Sequence, residues 1–342
     1  MSRVYLDHNA TTPLRHEARA AMVAAMDLSG NPSSVHAEGR AARALIETAR
    51  AEVAAAVGCK PAEVVFTSGA TEAASVLSRF GIDSDIAVEP TAHDALWSQR
   101  RSGPGQRVWA MGLANGETGI ESEVPVTDGQ LLLLDLTQAV GRVSFSFAWS
   151  GADLAVLSAH KLGGPKGVGA LIIRDGLETP ALLAGGGQEM GRRSGTENIT
   201  GIAGFAAAAT AAQRELSAGG WGRVTQLRNI LEEALEAASP DTIFVGKDLP
   251  RLPNTSCFAT PGWKGETQVM ALDLAGFAIS AGPACSSGKV RESRVLRAMG
   301  YDAETASSAI RVSLGLQTTE AEIMAFAKAW SERRHRMRAR VA

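Results

Sequence analysis

Cysteine is scarce in this sequence: of 342 residues only Cys59, Cys257 and Cys285 carry a thiol. Three dispersed thiols cannot build a disulfide framework, and no pair stands at CxxC spacing to propose a zinc site. A reducing cytoplasm is therefore the expected compartment, and no metal is expected. Net charge is also nearly absent. The 34 Lys and Arg against 36 Asp and Glu leave −2, which offers no global attraction to nucleic acid or an anionic membrane, so neither is an expected partner. No run approaches the roughly 18 apolar residues of a membrane span. The stretch FAAAATAA near residue 205 is too short and reads as a buried or half-buried helix. The opening MSRVYLDHNATTP carries charge and proline where a secretory signal needs an apolar stretch. The basic SERRHRMRARVA reads as the last turns of a helix, where cations face the negative end of the dipole.

What is present is the composition of a soluble globular protein, 45% hydrophobic and 20% charged, with 36 glycines suggesting tight turns and ligand-approaching loops. The length favours about two domains. HAEGRAARALIETARAEVAAAVG places Leu45, Ala49, Val53 and Val57 on one helical face and ends at Gly58, a suitable C-cap. The runs EVVFT, DIAVE, RVWAMG, LLLLDLT, DLAVLSA and GALIIR then read as strands of a largely parallel sheet covered by helices. After about residue 220 the order changes to a helix (VTQLRNILEEALEAAS), strands at TIFVG, NTSCFAT and FAIS, a helix near 266–275 and a final long helix. This predicts an α/β domain followed by a smaller α+β domain, with the N-terminal helix packing beside the latter.

Chemistry concentrates at the predicted strand ends. SAHKLGGPKGVG puts Lys161 after one apolar run and before a glycine-rich turn. There α/β proteins place their ligands, and desolvation would leave a neutral amine able to form a Schiff base. Viewed without context it reads first as a surface loop lysine, as Lys166 does. LLLLDLTQAVGR places Asp135 and Gln138 at the end of another run. A Schiff-base lysine with a carboxylate for a pyridine nitrogen is the pair that pyridoxal phosphate requires. FTSGATEA adds a strand, a turn and a helix start, whose backbone amides and hydroxyls suit a phosphate or make an ordinary N-cap. SAGPACSSGK leaves Cys285 open between a packed core thiol and a nucleophile.

Nine motifs in order resemble the class V aminotransferase group of pyridoxal-phosphate enzymes, and within it the cysteine desulfurases: YLDHNATTP, GNPSSVHAEGR, VVFTSGATEA, TAHDAL, DLTQAVG, SAHKLGGPKGVGAL, GGGQEMGRRSGTEN, SAGPACSSG and IRVSLG. The resemblance implies a fold-type-I architecture, with a cofactor-binding domain over residues 14–220 and a small domain formed by 1–13 and 221–342. It implies Lys161 as the Schiff-base lysine, Asp135 on the pyridine nitrogen and Gln138 on the phenolic oxygen. Ala70, Thr71, Ser158 and His160 fall to the phosphate. His93 stacks on the cofactor and moves protons, and Asn115 is a further cofactor contact. Arg311 and Asn9 fall to the substrate, Arg311 gripping its carboxylate. Thr196 reaches the phosphate of a partner subunit's cofactor, which implies a homodimer. Cys285 takes sulfur from L-cysteine as a persulfide, leaving L-alanine, and passes it to a protein acceptor or iron–sulfur scaffold. Its small neighbours suit a mobile loop. Cys59 and Cys257 are expected to be structural.

The sequence departs from the family at Gly116, where a second asparagine is usual, and in shortened segments on both sides of His93. A lyase acting on selenocysteine or cysteine sulfinate, and a non-catalytic partner of a desulfurase, remain as alternatives.

Overall fold

The computed structural model describes residues 3–282 and 292–341. Cys285, and with it the expectation of a mobile loop, lies outside the described residues. The chain divides into two compact units, a smaller one of Met1–Ala10, Asn115–Glu121 and Gly219–Ala342 and a larger one of Thr11–Ala114 and Ser122–Ala218.

The smaller unit opens with strand β1 (Val4–Tyr5). The larger unit follows, with helices α1 (His16–Met26) and α2 (Ala37–Val57), strand β2 (Val64–Thr67) and helix α3 (Ala70–Ala74). Next come β3 (Asp85–Val88), α4 (Asp94–Trp97), β4 (Arg107–Gly112), β5 (Leu131–Asp135), β6 (Leu154–Ser158), β7 (Gly169–Ile173) and α5 (Ile199–Ser217). The six strands form one sheet in the order β2-β7-β6-β5-β4-β3. Strands β3 to β6 are mutually parallel, and β7 is antiparallel to both its neighbours. Both faces are covered. Along β5, Leu132 and Leu134 enter a core with Ile46, Val53 and Phe205, while Leu133 points to another with Val65, Leu77 and Leu171. This two-sided burial is why the strands read as continuous apolar runs.

Helix α2 ends where Gly58 adopts a left-handed conformation, φ 72°. The alanine-rich segment near residue 205 is α5, and its face from Ile202 to Ala212 is largely buried. Helix α1 packs on α5 within the larger unit, which corrects the expectation that it would lie beside the small domain. The reason is steric fit: buried Ala18 and Ala25 give α1 a small-residue face. Gly204 in α5 also leaves room for Met22, whose Cγ would stand 2.6 Å from a Cβ at that position.

The smaller unit resumes with α6 (Gly220–Ala238), β8 (Ile243–Phe244), β9 (Thr255–Ala259), α7 (Gly265–Asp273), β10 (Phe277–Ala278) and β11 (Ser280–Ala281). It closes with α8 (Arg294–Ala298), α9 (Ala303–Ser307), β12 (Ala309–Ser313) and α10 (Glu320–Val341). An antiparallel sheet runs β11-β12-β9-β8, and β1 pairs in parallel with β10. The run expected as one strand at FAIS is thus two, since the chain changes sheet partner at buried Ile279. Phe258, Phe326 and Trp330 centre the core, with the Trp330 indole donating to Gln268 Oε1 at 3.0 Å. Near its basic end α10 directs Arg334 and Arg338 onto Asp241. Among the described residues no helix is long and apolar enough to cross a membrane.

Candidate active site

Parallel strands present their carboxyl ends at one edge of a sheet, and here most of the expected cofactor residues sit at that edge. Asp135 is the last residue of β5, and Gln138 follows in the next turn. Ser158 is the last residue of β6, and His160 and Lys161 lie in the turn beyond it. Because β7 is antiparallel to β2 and β6, its first residue, Gly169, pairs with both Thr67 and Ser158. That register brings the SGAT turn to the edge. A Cβ on Gly169 would lie 2.5 Å from the Leu157 carbonyl oxygen and 2.7 Å from Gly69 Cα, so only glycine permits the approach. Gly69 itself adopts φ 157°, ψ 175°, a backbone region essentially confined to glycine. Ala70 and Thr71 begin α3 beside it, with Thr71 exposed.

The supporting contacts hold these segments firmly. The Lys161 carbonyl oxygen accepts from Thr12 Oγ1 at 2.8 Å and from Arg142 Nη2 at 3.0 Å. Arg142 also donates from Nη1 to the Gln138 side-chain oxygen. Asp135 Oδ1 accepts from the Thr137 amide at 2.9 Å, which orients the carboxylate. His160 faces Thr11 Oγ1 at 3.2 Å. Burial, reinforced by the charges of Lys161 and Lys166, pushes its pKa down to about 4, so the ring is neutral at neutral pH. His93 is exposed and caps α4, its Nδ1 accepting from the Ala95 amide at 3.1 Å. A neutral His93 in that geometry carries its proton on Nε2.

Thr196 is exposed and lines a pocket of about 210 Å³ with Ser68, Gly167 and Arg193. Its loop is anchored by Glu189, which accepts from Arg50 Nη1 and Nη2 at 2.7 and 2.9 Å and from the Phe66 amide at 2.9 Å. Arg193 Nε adds a bond to Glu72 at 2.8 Å.

The remaining expected residues belong to the smaller unit. Arg311, on β12, donates from Nη2 to Asp7 Oδ1 at 2.8 Å and from Nη1 to the Gly116 carbonyl at 2.9 Å. Ser280, directly opposite on β11, fixes the other Asp7 oxygen at 2.8 Å. Asn115 Oδ1 accepts from the Glu117 and Thr118 amides, both at 2.9 Å, closing the turn that holds Gly116. Asn9 is fully buried, its Nδ2 donating to Thr255 Oγ1 and Gly116 O at 2.9 and 3.2 Å and its Oδ1 accepting from Asn254 at 3.1 Å. In this arrangement the Asn9 side chain supports Gly116. Of the other thiols, Cys257 is buried and Cys59 partly so. Burial pushes Cys59 up to about 12 and Cys257 higher still. Neither forms thiolate near neutrality.

The pattern of the class V aminotransferases matches residues 4–88 and 104–326. The chain belongs to the class V aminotransferase family. It is 39% identical to a cysteine desulfurase of Cereibacter sphaeroides over 94% of this chain and 93% of that one. A cysteine desulfurase of Klebsiella pneumoniae is 36% identical over 94% and 90%. The solved structure of a NifS-like protein from Rickettsia africae superposes with a TM-score of 0.88 at 30% identity, covering 96% of this chain and 99% of that one. Class V enzymes of this kind depend on pyridoxal phosphate, and the donor set fits it. A carboxylate ends β5 and a lysine lies in the turn just beyond the adjacent β6, and a glycine-lined cradle brings the SGAT turn to Ser158. Sequence reasoning missed Arg142, Thr12 and Asp7, although Arg142 stands four residues after Gln138, a spacing that invites contact.

Proposed function

We propose that this chain is a pyridoxal-phosphate-dependent cysteine desulfurase that converts L-cysteine to L-alanine and holds the sulfur on Cys285. What carries the reading is the Asp135–Lys161 arrangement at one sheet edge in a chain 39% identical to a cysteine desulfurase. Bound pyridoxal phosphate supplies an electron sink that weakens the substrate's bonds around its amino-bearing carbon. Asp135 keeps the pyridine nitrogen protonated, and Gln138 donates to the phenolic oxygen. Ser158, His160, Ala70 and Thr71 receive the phosphate, His160 as a neutral donor. Lys161 holds the cofactor and moves protons, with His93 Nε2 as a second proton carrier. Arg311 takes the substrate carboxylate, while Asn115 and Asn9 hold the Gly116 turn on which Arg311 rests.

The Cys285 thiolate attacks the substrate sulfur; the S–S bond forms as the C–S bond breaks, and the electron pair left on carbon takes a proton to give L-alanine. A thiol acceptor then removes the outer sulfur. We further propose a cytoplasmic homodimer in which Thr196 serves the partner subunit's cofactor, supplying sulfur to an iron–sulfur scaffold or another thio-cofactor pathway.

The test is product analysis with L-cysteine, L-selenocysteine and L-cysteine sulfinate on the yellow holoenzyme, with borohydride reduction to locate the cofactor. Cofactor fixed at Lys161 with alanine formed fastest from L-cysteine supports the proposal. Faster turnover of either other substrate moves the chain to a lyase, and a protein that takes up no cofactor is a non-catalytic partner.

A further inference from the structure

Arg142 joins two segments that are distant in sequence and adjacent at the sheet edge. It is buried, 5% exposed. Its Nη1 donates to the Gln138 backbone oxygen at 3.1 Å and to the Gln138 side-chain oxygen, while Nη2 donates to the Lys161 carbonyl at 3.0 Å. One planar guanidinium therefore spans the turn after β5 and the turn after β6. The contact also breaks a symmetry. The oxygen and nitrogen ends of a carboxamide have nearly the same shape, and only their hydrogen bonds decide which end points where. With Oε1 taken by Arg142, Nε2 is the end that can donate elsewhere.

We propose that Arg142 is a positioning residue that fixes the orientation of the Gln138 carboxamide, and its place relative to Lys161, so that a donor meets the cofactor ring. The inference rests on the reading that Gln138 donates to the ring's phenolic oxygen and Lys161 carries the cofactor. Without Arg142 the carboxamide could turn over and present Oε1, an acceptor, to an oxygen that carries negative charge. Lysine cannot fill the role fully, because a point donor does not reproduce a planar fork that reaches both segments at once.

The experiment titrates the visible absorbance of the reconstituted holoenzyme against pH for wild type, Gln138→Ala, Arg142→Met, Arg142→Lys and the double variant. Circular dichroism and covalent cofactor content check folding and loading. A donor at the phenolic oxygen favours its ionised form, so losing it raises the titration midpoint, by about one pH unit for a hydrogen bond to a charged group. Gln138→Ala is expected to give that rise, Arg142→Met a similar one, Arg142→Lys a smaller one, and the double variant no more than Gln138→Ala alone. An unmoved midpoint in Gln138→Ala overturns the reading of Gln138 itself. A shifted Gln138→Ala beside an unshifted Arg142→Met overturns only the positioning role. If Arg142→Met does not fold, Arg142→Lys decides: a raised midpoint supports the role and an unchanged one refutes it.

Discussion

Replacing Glu189 by leucine would strand a buried cation, and the cost can be worked from its contacts. The side chains of Arg50 and Glu189 are only 6% and 2% exposed and meet through two hydrogen bonds of 2.7 and 2.9 Å. Burial by itself lowers the pKa of Arg50, yet the Glu189 bonds and charge reverse this and leave it raised. Removing one member of a buried pair costs about 3–5 kcal/mol, because the other charge stays desolvated. Two details push within that range. The Phe66 amide loses its acceptor and adds to the loss, while Glu47, 3.3 Å from Arg50 Nε but largely exposed, offsets at most about 1 kcal/mol. A loss near 4 kcal/mol is therefore expected. With an m-value near the upper end of about 1–3 kcal/mol/M, urea unfolding of the larger unit should shift down by more than about 1 M. The control is Arg50→Met/Glu189→Leu, which removes both charges and should recover much of the loss. A Glu189→Leu protein within about 1 kcal/mol of wild type, or a double variant less stable than the single one, would refute the reasoning. The same loop has non-glycine residues at positive φ, Glu189 at 51° and Met190 at 58°, so the ion pair also keeps an unfavourable backbone in place.

Other consequences can be measured alongside. His160 titrates near 4 in the fold against about 6.5 unfolded, so the fold favours its neutral form. The stability this provides is complete above about pH 6.5 and is lost as the pH falls toward 4; the apoprotein's urea midpoint should therefore drop less on acidification in His160→Gln than in wild type. Arg311→Gln should raise the KM for L-cysteine about 10- to 100-fold, the equivalent of losing a hydrogen bond to a charged group, and an unchanged KM would remove Arg311 from substrate binding. Gly169→Ala pushes a methyl group against backbone on two sides, so it should cost about 1–3 kcal/mol in urea unfolding and reduce cofactor retention, and a variant of wild-type stability and colour would contradict the cradle.

All six strands of the larger sheet were legible as short apolar runs, since burial on both faces removes polar alternation. The antiparallel direction of β7 was not read, although the interval from Ser158 to Gly169 is too short for the helical crossover a parallel neighbour needs. Asp135 and Lys161 could be found because a strand end followed by a turn is visible in the chain. The residues that support them could not. Arg50 and Glu189 are 139 positions apart and Asp7 and Arg311 are 304 apart, so nothing local distinguishes these ions from surface charges. Helix α1 was misplaced for a similar reason, because its partner face on α5 is recognisable only once Gly204 and Met22 are seen together.

The most direct test of the central claim measures L-alanine and sulfide together, from L-cysteine and a reductant, in wild type and Cys285→Ser. Equal amounts of both products from wild type, and neither from a Cys285→Ser protein that keeps its yellow cofactor, are the predicted result. Full turnover by Cys285→Ser would contradict the assignment of sulfur transfer to that thiol, and no alanine from cofactor-loaded wild type would contradict the desulfurase reading.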